Sequence, residues 1–577
     1  MSCSTTFELG VDVGEVQAVL LRNVPPGPAN YIQRAGRAGR RTDSAALVVT
    51  FAQRRNHDLY YFQEPASLIE GKISPPFIRL DNAAIVRRHA HAIALAAFER
   101  LSGSHPNVGT FFLAEGGQSA CELFVDWLNR RPPEVGAALA RIVPPAVVDE
   151  VGISDWSWVS ALADPSGPDL THGWLRRATE EVRDELDMVG NQMKDAVEKQ
   201  QFARAEMLKR LSATIAGRQL YGFLASRNVL PKYGFPVDVV ELNLARTGDA
   251  AAMNLELQRD LKLAIGEYAP GARIIAGKAI WASQGLVVRP NRELRKYQWI
   301  VCGDCGAARH QLIEVPEECT ICGSREVARQ GRFVIPEFGF VGKREEGRPG
   351  ESRPLRGTSI EAHFGVYQKE SPEFEAVDSF APNVQRRYFR QGRITVINRG
   401  PGGRGFSICE WCGYGEPAPA ALKKGKEKKH ADIRRPGRDC QGHMSFLHLG
   451  HEYLTDVVEI TLPGIHNEPI ARSVLYALLE SAQRLGISRD DVDGTARRFN
   501  RDQLSLVLFD TVPGGAGHAR RLGANLRPLT EAALDRVSKC ECGDDTSCYS
   551  CLRSYGNQVW HEQLSRGAAS SVLRGIL

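Results

Sequence analysis

No run of about 18 apolar residues occurs in the 577-residue chain, which excludes an ordinary membrane-spanning helix. The start, Met1-Ser2-Cys3-Ser4-Thr5-Thr6, lacks a basic stretch followed by an apolar core, so no secretory leader is expected. A strong charge of either sign is also missing: 73 basic against 68 acidic residues leave +5, too little to mark a nucleic-acid binder by itself. No string has the form G-x-x-x-x-G-K-[ST] of a phosphate-binding loop. The nearest, Gly271 to Ala279, has five residues between its glycines and ends in Ala279. Asp184-Glu185-Leu186-Asp187 imitates a magnesium-binding carboxylate motif, but it lies in a charged helical stretch and reads as a solvated helix face.

What is present is an ordinary globular composition, 43% hydrophobic and 24% charged, over a length suited to about three or four domains. Near the start, an apolar run Val16 to Val24, a Pro-started helix Pro28 to Arg40 and a β-rich run Ala45 to Phe51 give a βαβ rhythm. Residues 80 to 130 and 170 to 225 are helical in pattern, and Glu180 to Leu220 suits a helical hairpin or a long packed arm. From about 230 the texture changes to short strands, Gly and Pro punctuation and Cys pairs. Pro417 to Arg438 reads as a loop carrying the basic run Lys423 to Lys429, and an α/β segment follows from Leu454.

Of thirteen cysteines, all but Cys3 and Cys121 fall into three tight groups. Without an export signal this grouping points to reduced thiolates on Zn2+ in a cytoplasmic protein. Cys302-x2-Cys305 and Cys319-x2-Cys322, thirteen residues apart, are the two knuckles of a zinc ribbon, with Gly303, Gly306 and Gly323 easing the turns. Cys540-x-Cys542-x5-Cys548-x2-Cys551 gathers four thiols within twelve residues; zinc is the expected ion, an iron–sulfur cluster the alternative. The third set is looser: Cys409-x2-Cys412, then Cys440 and His443, with His448 or His451 as other choices for the fourth ligand. Four protein ligands close a site, so these are expected to be structural.

Arg37 and Arg40, three apart on the expected helix, place two guanidinium forks on one face, which suits the charge of a transferring phosphoryl group. The plain alternative is an Arg-rich solvated helix. The segments Ser4-Thr5-Thr6-Phe7-Glu8-Leu9-Gly10-Val11-Asp12 and Gln33-Arg34-Ala35-Gly36-Arg37-Ala38-Gly39-Arg40 resemble motifs V and VI of superfamily 2 helicases. By that resemblance Gly10 and Asp12 lie at the nucleotide, Asp12 near its ribose, Ser4 to Thr6 touch the DNA backbone, and Gln33, Arg37 and Arg40 face the γ-phosphate. The resemblance also implies a first lobe that holds ATP and Mg2+, expected on a separate polypeptide or in sequence upstream.

Around the cysteines lie Glu267 to Gly271, His448 to Asp456 and Asp510 to Gly517. Together with Cys540 to Cys551 they resemble the C-terminal zinc-binding domain of MrfA-type DNA repair helicases, similar to domains of DISARM-like phage-defence helicases. Pro513-Gly514-Gly515-Ala516-Gly517 follows an apolar strand and reads as a tight packing turn more than as a phosphate cradle. The expected fold is α/β and α+β multidomain. Residues 1–65 form a truncated RecA-like lobe and 66–230 a helical middle region. Residues 231–453 form a β-rich region with a zinc ribbon (302–322) and a further site (409–443), and 454–577 a zinc-binding α/β domain. The implied function is the C-terminal part of an ATP-dependent DNA helicase in repair or phage defence. A non-catalytic zinc scaffold that binds DNA or a partner helicase is the other reading.

Overall fold

The computed structural model describes residues 16–577 apart from 26–27, 40–45, 54–55, 64, 71–81, 115, 164–172, 232–238, 245–251, 253–254, 290–291, 314, 347–359, 366–371, 379, 381–382, 420–428, 436 and 501. The fold is mixed α/β, and the chain divides into two compact units: Met1–Arg79 with Pro463–Gly486 and Leu526–Leu577, and Leu80–Leu462 with Ile487–Asn525.

In the first unit the apolar strands Ala18–Leu21 and Leu47–Thr50 pair in parallel, Ala18 opposite Leu47, across the helix Pro28–Ala35. This is the expected βαβ unit. Its sheet leaves Leu20 75% and Leu47 60% exposed, an apolar surface of the kind that parallel sheets normally bury under helices. Elsewhere in the unit the helices Glu468–Ser481, Leu526–Lys539 and Arg566–Ile576 pack on one another through buried residues that include Leu475, Leu529 and Leu573. Asn467 and Ser565 cap the first and last of them, each side chain accepting the amide N–H three residues on.

The second unit begins with helices around a core that includes Phe111, Leu128 and Trp158. Trp174–Glu198 and Phe202–Ala216 form the expected hairpin, with Gln200 at φ +56° in its turn. The β region departs from the expected short strands. Gln385–Asn398 and Met444–Thr461 are 14 and 18 residues long, and the boundary expected at residue 453 falls inside the second of these. Such length is possible because the ladder between them shifts register between Phe389 and Gly392, which bends the pair. A Cβ at Gly392 would collide with Val457.

Met444–Thr461 is the spine of an 11-stranded sheet. It pairs antiparallel with Gln385–Asn398, with Phe406–Cys409 (Cys409 opposite Met444) and with Leu504–Asp510 (Val457 opposite Phe509). It also pairs in parallel with Val327–Val334, which leads through Lys296–Cys302 to the ribbon hairpin. A separate five-stranded sheet is ordered Gln258–Asp260, Val239–Asn243, Phe340–Glu345, Ala279–Leu286, Arg273–Ala276.

The spine carries buried acids. Glu459, fully buried, pairs with Arg387 at 2.6 Å and Arg497 at 3.3 Å and accepts the Ser505 hydroxyl at 2.5 Å. Burial opposes its ionisation, but Arg497 and Arg387 hold its carboxyl below the ordinary range. Arg497 also donates to the Cys305 carbonyl at 3.2 Å, tying the ribbon to the sheet. Removing one member of such a cluster strands buried charge. Glu459→Ala is therefore expected to cost about 3–5 kcal/mol in chemical denaturation; a loss below about 1 kcal/mol would show that Glu459 is dispensable.

Candidate functional site

Three ligand sets come together among the described residues, each with its ligand atoms within 4.8 Å of one another: Cys302, Cys305, Cys319, Cys322; Cys409, Cys412, His430, Cys440; and Cys540, Cys542, Cys548, Cys551. In the ribbon the Sγ atoms of Cys302 and Cys322 are 3.6 Å apart and those of Cys305 and Cys319 are 3.7 Å apart. Disulfide sulfurs lie about 2.05 Å apart, whereas thiolates about 2.3 Å from one tetrahedral ion are spaced by about 3.8 Å. The observed spacings fit the ion. The turns expected at Gly306 and Gly323 have φ of +64° and +71°, and the Gly323 amide donates to the Cys319 carbonyl at 2.8 Å. Burial works to raise the Cys319 thiol, but the amides of Cys322 and Ile321 and the neighbouring thiols bring it down to about 7.

The second set corrects the sequence reading. Cys409, Cys412 and Cys440 assemble as expected, but the fourth member is His430 and not His443. The two-residue strands His430–Ala431 and Asp439–Cys440 pair antiparallel with His430 opposite Cys440, which brings the imidazole to the thiols. Its Nε2 is 3.3 Å from Cys412 Sγ, and the Tyr414 ring stacks on it at 5.0 Å. Cys409 and Cys440 Sγ are 3.8 Å apart. Residue 443 sits just before the strand that pairs with Cys409, and its carbonyl accepts the Glu410 amide at 3.1 Å. The other two histidines are engaged elsewhere. His448 accepts the Trp299 indole at 3.2 Å, with its pKa lowered to about 4 by burial and Arg399, and His451 is buried on Tyr453. Gly442 is required at this site because a Cβ would lie 2.7 Å from Cys409 Sγ. The Cys412 thiol and the amides of Cys412 and Trp411 lower the Cys409 thiol to about 4, against its burial.

In the third set Cys540 is 3.5 Å from Cys542 and 3.4 Å from Cys548, and Cys551 is 3.7 Å from Cys542. The set follows directly on the helix Leu526–Lys539, whose Arg536 donates to the Cys551 carbonyl at 2.8 Å.

The arginine segment is partly described. Ser4, Thr5, Thr6, Gly10, Asp12 and Arg40 lie outside the described residues. The helix expected to reach Arg40 ends at Ala35; Gly36 and Arg37 form a turn, and Ala38 bridges to Val16. Gly39, at φ +69°, is what allows this exit, donating to the Val16 carbonyl at 3.0 Å. Arg37 therefore stands half-buried in the turn at the helix exit and not on the helix itself, while Gln33 is exposed on the last turn.

Two other sequence signals resolve as structure. Asp184 and Asp187 fall on the helix Trp174–Glu198 as expected, but Glu185 pairs with Arg218 at 2.7 Å instead of facing solvent. The amides of the Asp510 to Gly517 turn are taken by protein acceptors. Ala516, His518 and Ala519 donate to Asp510 at 2.6 to 3.1 Å, Gly517 to Asp456 at 3.0 Å, and Gly514 to the Leu454 carbonyl at 2.8 Å. It is a packing turn built on two carboxylates, the buried Asp510 and the half-buried Asp456. Burial, then Asp510, raise Asp456 to about 7.

Two family models match the chain: a helicase conserved C-terminal domain over residues 1–42 and an MrfA Zn-binding domain over residues 475–552. The chain is thus helicase-related over its first segment and carries an MrfA-like zinc-binding segment near its C-terminal end. It is 28% identical to Druantia protein DruE of Escherichia coli over 646 aligned residues, which take in 100% of this chain and 34% of DruE. It is 44% identical to the ATP-dependent helicase HRQ1 of Saccharomyces cerevisiae over 68 residues, 12% of this chain and 6% of that protein. A crystal structure of the DUF1998 helicase MrfA bound to DNA aligns at TM-score 0.39 and 13% identity, covering 99% of this chain and 53% of that one. The chain thus spans about a third of DruE and about half of the MrfA chain. Among the described residues no helix is long and apolar enough to cross a membrane.

Two outcomes are expected. Elemental analysis of His430→Ala should show about one metal equivalent fewer per chain, with His443→Ala at the wild-type value; the opposite pattern would restore His443 to the set. Asp456 binds its proton more tightly folded than unfolded, so its stabilising effect is present below about pH 4 and lost as pH rises towards 7. The melting temperature of Asp456→Asn relative to wild type should therefore climb between pH 5 and 8; a flat difference would mean that the carboxyl is not perturbed.

Proposed function

We propose that the chain supplies the C-terminal half of an ATP-dependent DNA helicase or translocase acting in DNA repair or phage defence. The observation that carries this reading is the helicase-matched segment, in which Gln33 and Arg37 stand at the exit of a helix that connects two parallel strands with Leu20 and Leu47 exposed. A first lobe bearing a phosphate loop, a motif that these 577 residues lack, would cover those strands and present ATP with Mg2+. Arg37 and Arg40 would then spread positive charge over the transferring phosphate oxygens, with Gln33 oriented to the γ-phosphate. Gly10 and Asp12 would border the nucleotide, and Ser4, Thr5 and Thr6 would meet the DNA backbone.

Zinc in three closed sites, two with four cysteines and one with three cysteines and a histidine, would act structurally, fixing loop-rich modules against the sheet and the helices. Those modules would grip DNA mainly through phosphate contacts, so affinity should fall steeply with salt.

The test is reconstitution with a first lobe. DNA-stimulated ATPase is expected to appear, and Arg37→Ala to lower it about 10³-fold or more while zinc content and DNA affinity persist. Activity that survives Arg37→Ala would overturn the assignment. DNA binding and zinc content with no ATPase in any combination would favour the scaffold.

A further inference from the structure

A cleft of about 350 Å³ in the second unit is lined by five arginines, Arg218, Arg227, Arg289, Arg292 and Arg295. The three inner ones are matched. Arg218 pairs with Glu185 at 2.7 Å, Arg227 with Glu181 and, at 3.1 Å, Glu452, and Arg295 with Glu337 at 3.2 Å. Arg218 and Arg227 also lie over the Phe223 ring, at 4.6 and 5.2 Å from its centroid. These pairs fix the floor of the cleft and neutralise it.

Arg289 and Arg292 are different. Among the described residues neither has an ion-pair partner; Arg289 is exposed and Arg292 half-buried. Each is nonetheless positioned. The Arg289 guanidinium lies 5.0 Å above the Phe338 ring, which holds its plane and leaves the N–H edges open. The Arg292 guanidinium rests against Gly217, the residue that ends the helix Phe202–Ala216, where any Cβ would overlap it. The end of a helix dipole favours a cation there. Two pre-placed forks without carboxylates, over a floor already neutral, form a receptor for an anion with several oxygens.

We propose that this cleft binds a backbone phosphate of a nucleic-acid strand through Arg289 and Arg292. The inference rests on the reading of the chain as a DNA-handling protein and assigns to it a contact point that neither the arginine segment nor the zinc modules provide. The strand is favoured over a free polyphosphate because both forks stand at the open rim of the cleft, where a long ligand can pass.

The experiment is fluorescence anisotropy of a labelled single-stranded oligonucleotide with the full chain across a salt series, with inorganic pyrophosphate as a competitor. Arg289→Ala/Arg292→Ala is expected to weaken binding roughly tenfold or more and to reduce the slope of log affinity against log salt by about 1 to 2. Arg289→Lys/Arg292→Lys, which keeps the charge and loses the forks, should fall in between. It also serves as the readout if the alanine pair alters zinc content or circular dichroism. Wild-type affinity and slope in both variants would overturn the site and leave the DNA reading standing. No oligonucleotide binding by the wild-type chain would overturn both. Micromolar competition by pyrophosphate, lost in the variants, with no effect of the variants on the oligonucleotide, would reassign the cleft to free polyphosphates and overturn the strand.

Discussion

One strand with acids inside it organises the larger unit. Met444–Thr461 meets four other strands, and in an apolar sheet it carries the buried Glu452 and Glu459 and the half-buried Asp456. Glu452 accepts His310 at 2.7 Å, Arg227 at 3.1 Å and Arg393 at 3.2 Å, so the turn after the helix Leu220–Ser226, the ribbon hairpin and a neighbouring strand converge on one carboxylate. Burial alone would raise it, yet Arg393 and His310 hold it well below the ordinary value. Buried ion pairs add little net stability over apolar contacts, but they tolerate only one arrangement of their partners. The carboxylates therefore fix the positions of elements that hydrophobic contact alone would let slide.

The metal sets do for the small modules what the acids do for the sheet. Around the ribbon thiols, among the described residues, the buried apolar cluster holds only Ala307 besides the cysteines, with Ile321 partly buried against it. A core of that size cannot offset the entropy of ordering about twenty residues, so ligand convergence must supply the difference. The same holds between Cys540 and Cys551, where four thiols crowd into twelve residues after a helix end. The ribbon and the buried acids meet physically at Arg497, which touches both the Cys305 carbonyl and Glu459.

What the sequence revealed follows from how local each signal was. The parallel βαβ start, the helical hairpin and the two four-cysteine sets depend on spacing within one or two elements, and all are present. His430 was missed because its place depends on a two-residue ladder with Cys440, too short to show as strand periodicity and set beside a lysine-rich run. The early helix end was misjudged because alanine and arginine around Gly36 and Gly39 favour continuation, while the competing bridge from Ala38 to Val16 is non-local. Glu185 looked solvated because its partner Arg218 lies 33 residues on, beyond any helical spacing. The lengths of the two central strands were hidden by a register shift at Gly392, which punctuates the sequence without breaking the strand.

The ladder that seats His430 opposite Cys440 has a bearing on how this region can vary. Seventeen residues separate Cys412 from His430, and only the two ends of that stretch are fixed by ligands. The entropy of closing such a span grows with the logarithm of its length, about 0.6 kcal/mol for each doubling. The ligand geometry therefore depends far more on the ladder at His430 and Cys440 than on the number of residues between Cys412 and His430. Two residues of backbone pairing thus decide which imidazole closes the set.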